Sequence, residues 1–184
     1  VTYSIAFSDS AGNAGNPVTS GTGSVTFDGT LPTLTSVGIA SNNATTTLAA
    51  AGDVVTLTLT ASETIGTPTV TFQSGGAAIN DGTIDYANTG GNTWTAKYTA
   101  NSSDTDGAVT FSIAFSDTVG NAGTAVTAVT DGSSVTFDDS VPTLTSVGIA
   151  SNNSTATLAK EGDVVTLTLT ASETIGTPTV TFQS

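Results

Sequence analysis

The side chains able to do chemistry in this sequence are almost all oxygen donors. The 184 residues include 15 Asp or Glu and only two Lys or Arg, with no His, Cys or Met. Asp28 lies in FDGTLP, Glu63 in ASETIG, and Asp117 with Asn121 in SDTVGN. Asp138, Asp139 and Glu173 repeat the first two settings 110 residues later, and Asp9 with Asn13 repeats the third 108 residues earlier. Asp53, Asp104 and Asp106 sit in other turns. No two of these carboxylates form a recognisable acid/base pair on one rigid element, and without His there is no Ser-His-Asp set, so the chain is not expected to be an enzyme. Thiol chemistry and the usual zinc ligands are excluded too. Carboxylate, amide and carbonyl oxygens suit calcium, which takes six to eight such ligands at about 2.3–2.6 Å. Neither an EF-hand loop nor a glycine-rich calcium nonapeptide occurs.

These residues are carried by a repeat. Residues 31–74 recur at 141–184, differing only at 31/141, 44/154, 46/156, 50/160 and 51/161. Residues 1–15, VTYSIAFSDSAGNAG, recur at 109–123 as VTFSIAFSDTVGNAG. A spacing near 110 residues exceeds a solenoid coil of about 20–50 residues and fits a small domain in tandem array. The expected organisation is the end of one unit at 1–30, a complete unit with its exit linker at 31–140, and the start of another at 141–184.

Within the complete unit the pattern is strand-like. Val55, Leu57, Leu59 and Ala61 alternate with Thr56, Thr58 and Thr60, and Val109, Phe111, Ile113 and Phe115 alternate with Thr110, Ser112, Ala114 and Ser116. Period-two alternation marks strands with one buried face. Shorter strands are expected around Val70 and Phe72, around Trp94, Ala96 and Tyr98, and around Val135 and Phe137. Leu34 is out of phase with Val37 and Ile39, which predicts a bulge or a change of sheet. Turn residues separate these runs, and no segment has helical periodicity. The expected strands cover 33–40, 54–61, 68–73, 77–87, 93–99, 108–116 and 133–138. Seven short antiparallel strands in about 100 residues predict an all-β, immunoglobulin-like β-sandwich repeated in tandem.

That fold places the loop after the second strand and the loop after the sixth at one end, beside the preceding linker. Asp28, Glu63, Asp117 and Asn121 should therefore converge, and Asp138, Asp139 and Glu173 should begin the same arrangement at the next junction. The loops with Asp53, Asp104 and Asp106 should face the exit linker. A calcium ion at such a junction would stiffen the array. The competing explanation is that Asp and Asn are turn formers, so a D-x-x-G-N loop needs only its own Asx hydrogen bonds.

The order PTLTSVGIAS, GDVVTLTLTASE, TPTVTF, GNTWTAKYT, GAVTFSIAFSDTVGNAG and SVTFD resembles the bacterial immunoglobulin-like repeats of giant surface adhesins and biofilm-associated proteins. The resemblance implies a secreted stalk at the cell surface, whose partners are adjacent repeats of the same chain. A net charge of −13 argues against nucleic acid, and no run of about 18 apolar residues suggests membrane insertion in this segment. Two other readings remain. Loops or sheet faces could bind glycan or a neighbouring cell, or the partial units 1–30 and 141–184 could complete one another between copies in a filament. The outward threonine row is a short one, better explained by β-propensity than by ice binding. Lys97 is expected to face solvent, away from any isopeptide partner.

Overall fold

The computed structural model describes residues 1–183. Two compact units, Val1–Asp138 and Asp139–Ser184, divide the chain. Every regular element is a strand, and there is no helix among the described residues.

The first unit contains β1 (Leu34–Ser41), β2 (Leu48–Ala49), β3 (Val54–Ala61), β4 (Thr69–Ser74), β5 (Ala77–Ala78), β6 (Asp85–Gly90), β7 (Thr93–Thr99), β8 (Gly107–Ala114) and β9 (Thr136–Phe137). One sheet has the order β1-β3-β7-β6 and the other β2-β9-β8-β4-β5. All pairings are antiparallel except β2 with β9. The alternating residues behave as strand geometry requires. Val55, Leu57, Leu59 and Ala61 are buried along β3, as are Val109, Phe111 and Ile113 along β8 with Phe115 just beyond it. Both sheets contribute to a single apolar cluster, giving a sandwich-like arrangement. Phe72 of β4 and Tyr98 of β7 meet across it with ring centroids 4.8 Å apart, a tilted contact favoured by ring quadrupoles.

The irregularity expected at Leu34 is a bulge, where the pairing of β1 with β3 shifts between Leu34 and Ser36. The change of sheet comes later, because β2 follows β1 in sequence but belongs to the other sheet. The strand expected over 77–87 is two strands, β5 and β6, lying in different sheets. Long-range bonds hold the crossing. The Asn80 N–H donates to Asp104 Oδ1 at 2.7 Å and the Thr99 N–H to Asp81 Oδ2 at 2.7 Å. In the turn between β4 and β5, Gly75 (φ +56°) lies so close to Gly107 (φ +138°) that a Cβ on Gly107 would sit 2.8 Å from the Gly75 Cα, so both the conformation and the approach require glycine.

The strand expected over 133–138 is reduced to β9, and the residues before it close the outer edge of β1. The Val37 N–H donates to Thr130 Oγ1 at 2.9 Å and the Ile39 N–H to Ser133 Oγ at 2.8 Å, while the Thr130 N–H returns a bond to the Val37 carbonyl at 2.8 Å. These bonds satisfy backbone groups that an edge strand would leave open.

The second unit contains β10 (Leu144–Ser151) and β11 (Val165–Ala171), paired antiparallel with the same bulge, between Leu144 and Ser146. The break between the units falls after Asp138, and residues 1–30 group with the sandwich.

Candidate cation site

Three strand connections bring the acidic residues together in the first unit. The Ser62 N–H donates to the Thr33 carbonyl at 2.8 Å, and Ser62 Oγ accepts from the Thr33 N–H at 3.0 Å. These two bonds hold the segment leading into β1 against the start of the loop that carries Glu63. Ile65 closes the same loop by burying its side chain and bridging to Asp117, while the Gly66 N–H donates to the Ser116 carbonyl at 3.0 Å. Glu63 thus lies between two anchors, one to the incoming segment and one to the loop after β8.

The 117–121 loop is built around a carboxylate. Asp117 Oδ1 accepts the N–H groups of Val119, Gly120 and Asn121 at 3.0, 2.8 and 2.8 Å, and Oδ2 accepts from Asn121 Nδ2 at 2.7 Å. Asn121 Nδ2 also donates to the Asp28 carbonyl at 3.2 Å, which places Asp28 over the loop. Gly123 lies under the Phe115 ring, and a Cβ there would collide with the ring and approach the Pro32 carbonyl to 2.8 Å. One carboxylate oxygen from each of Asp28, Glu63 and Asp117 lies within 4.8 Å of the other two, and this is the one such acidic group among the described residues.

The three carboxyls differ in environment. Asp117 is buried, and burial opposes its charge. The Asn121 amide and the N–H groups of Asn121, Val119 and Gly120 outweigh that opposition and hold its carboxyl below the usual range. Glu63 has no comparable donors. Burial, then the charges of Asp28 and Asp117, push its carboxyl up, and its Oε1 is fully enclosed without a hydrogen-bond partner. A cation would satisfy that oxygen and offset the mutual repulsion. The donor set is all oxygen, which fits a hard divalent ion such as calcium rather than zinc.

The remaining expected ligands are placed elsewhere. Asp9 accepts the N–H groups of Ala11 and Asn13 at 3.0 and 2.8 Å and the Asn13 amide at 2.8 Å, forming the same loop as Asp117 on an exposed surface. The Asn13 side chain, then its N–H, leads the effects that lower the Asp9 carboxyl. Asp53 accepts from the Ala50 N–H and the Asn43 amide, both at 2.8 Å, and closes the turn before β3. Asp104 is buried and ties Asn80 to Asn101. Asp53, Asp104 and Asp106 thus do not join the acidic group. Asp138 ends the first unit, while Asp139 and Glu173 belong to the second. Asn121, expected as an oxygen ligand, acts through its nitrogen to orient Asp117 and Asp28. Sequence reasoning missed Ser62 and Asn80, whose partners are 29 and 24 residues away. Lys97 is exposed, as strand parity requires.

No protein-family model, no curated protein and no solved structure matches the chain.

Proposed function

We propose that the protein is a spacer segment of a long extracellular adhesin or surface filament. In this reading the units are immunoglobulin-like sandwiches, and calcium stiffens the junction leading into each. The observation that carries the cation part is that a carboxylate oxygen of each of Asp28, Glu63 and Asp117 lies within 4.8 Å of the other two while Glu63 Oε1 is enclosed without a hydrogen-bond partner. Asp28 belongs to the segment preceding β1, so an ion held there would tie that segment to the two loops of the sandwich. Three carboxylates are fewer than calcium requires, and backbone carbonyls and water would complete the shell. The spacer part rests on the tandem repeat, the absence of an acid/base pair from the sequence, and the apolar core common to both sheets.

Calcium titration by calorimetry and thermal melting tests this function. An ion binding only the folded state stabilises it by about 2.7 kcal/mol at a hundredfold excess over Kd, enough to raise the melting temperature by several degrees. Chelation should remove that gain, and Glu63→Gln should abolish it while preserving the fold. Equal melting of the wild type in calcium and in chelator would sink the cation reading.

A further inference from the structure

The chain enters the strands of the first unit through β1 and leaves them through β9, and the two segments are bonded to one another. Val37 meets Thr130, Ile39 meets Ser133, Thr47 meets Thr136 and Ala49 meets Asp138, so the residue numbers rise together along both segments. The last two contacts, each an N–H of the later segment on a carbonyl of the earlier one at 2.9 Å, frame the ladder of β2 with β9, which runs parallel. Two segments that run the same way, one held at its start and the other at its end, slide past one another when the chain is stretched. Every bond between them then shares the pull, whereas an antiparallel hairpin pulled at its open end gives way one bond at a time.

The side chains of the later segment are arranged to strengthen this contact. Thr130 Oγ1 accepts the Val37 N–H at 2.9 Å and donates to the Val37 carbonyl at 3.2 Å, and the Thr130 N–H adds a third bond to the same residue at 2.8 Å. Ser133 Oγ accepts the Ile39 N–H at 2.8 Å while giving its own hydrogen to Asp131 Oδ1 at 2.6 Å. The same carboxylate oxygen takes the Ser133 N–H at 2.9 Å, which fixes the serine in place. Between the two contacts, a Cβ on Gly38 would collide with the Asp131 carboxylate, so the segment is seated in a notch that only glycine leaves open.

We propose that residues 37–49 and 130–138 form a shear joint that resists stretching of the chain, with Thr130 and Ser133 as its fastening side chains. The origin of the load rests on the spacer reading, because a spacer transmits tension from one neighbour to the next. The joint itself needs no ion and uses no residue of the acidic group.

Single-molecule stretching of the full chain in chelator, at constant force, tests the proposal. The sequence has no Cys, so paired Cys substitutions define the points of attachment. Thr30→Cys with Val141→Cys applies the force through the segments that flank β1 and β9. Thr83→Cys with Lys97→Cys applies it across the open end of the β6 and β7 hairpin. Lifetimes under load report the unfolding rate. The first geometry should outlast the second at the same force. In the first geometry Thr130→Val and Ser133→Ala should each shorten the lifetime about fivefold, the effect of removing one hydrogen bond from the barrier. Their effects should multiply in the double variant, because bonds in shear fail together. Ser74→Ala removes a buried bond to the Thr105 carbonyl and should lower stability in denaturant, yet it lies outside the joint and should leave the lifetime unchanged. Equal wild-type lifetimes in the two geometries overturn the proposal, whether or not the hydroxyl variants fold. So does a loss at Ser74 as large as that at Thr130, or a double variant no shorter-lived than the singles. None of these outcomes bears on the calcium dependence of melting, which tests the spacer junction separately.

Discussion

Residues 34–61 and 144–171 carry nearly the same sequence and the same strand pairing, yet one pair lies in a core and the other carries an open apolar face. Local sequence therefore suffices to set strand identity, register and the bulge, because each depends on alternation and on the turn between the two strands. It does not suffice to bury them. In the first unit burial comes from packing against β4, β7, β8 and β9. The two D-x-x-G-N loops make the same point on a smaller scale. Residues 9–13 and 117–121 share their Asx hydrogen bonds, but only the second has Asp28 and Glu63 beside it. The turn-forming explanation of this motif accounts fully for the first loop. The second loop also has charged neighbours, and these are what an ion would bind.

The largest effect should come from placing a charge on each version of the strand pair. Val37→Asp buries an unpaired carboxylate and should cost more than about 4 kcal/mol, leaving the first unit unfolded in circular dichroism. Val147→Asp should leave its melting unchanged. Equal sensitivity at the two positions would show that the second face is covered after all. A smaller contrast is expected between the loops. Asn121→Ala removes the amide bonded to both Asp117 and Asp28 and should cost about 1–3 kcal/mol in denaturant unfolding, whereas Asn13→Ala, on the exposed loop, should cost well under 1 kcal/mol.

The smallest effect is that of pH. The Glu63 carboxyl is raised in the folded state, so the folded protein holds more protons than the unfolded chain as Glu63 titrates. Without calcium, stability should rise as pH falls from neutral toward about 4.5. The Asp117 carboxyl is lowered, so its contribution is present above the ordinary Asp range and is lost as pH falls through the depressed value. Melting curves in chelator should therefore show a shallow maximum in mild acid, and Glu63→Gln should remove the rising limb. A stability that only declines from pH 7 downward would mean that Glu63 is more solvated than its enclosed oxygen implies.

The long alternating strands were legible because their pattern is local. Val55 to Ala61 and Val109 to Phe115 face the core as their parity requires. The crossing between β5 and β6 was not legible, since it depends on Asp104 reaching Asn80 and Asp81 reaching Thr99 across the fold. The two-residue strand β2 was equally hidden, because two residues carry no periodicity, whereas β9 lies inside the strand expected over 133–138. At the site, repetition of the acidic turns pointed to Asp28, Glu63 and Asp117. The direction of the Asn121 amide could not be read in advance, since it is set by two acceptors that only the folded chain assembles. Asp53 and Asp104 resembled ligands in sequence, but both fasten turns through backbone N–H groups.

The hydroxyl closure of β1 bears on how such a chain escapes confusion during folding. Neighbouring units this similar risk exchanging strands while they form, since a strand of one can pair with the wrong neighbour. Thr130 and Ser133 bind the outer N–H groups of β1 through side chains on an irregular segment, so the edge is satisfied without presenting another ladder to extend. Once folded, the first unit has its β1 edge closed by hydroxyls on that side, where a strand of similar sequence would otherwise find a template.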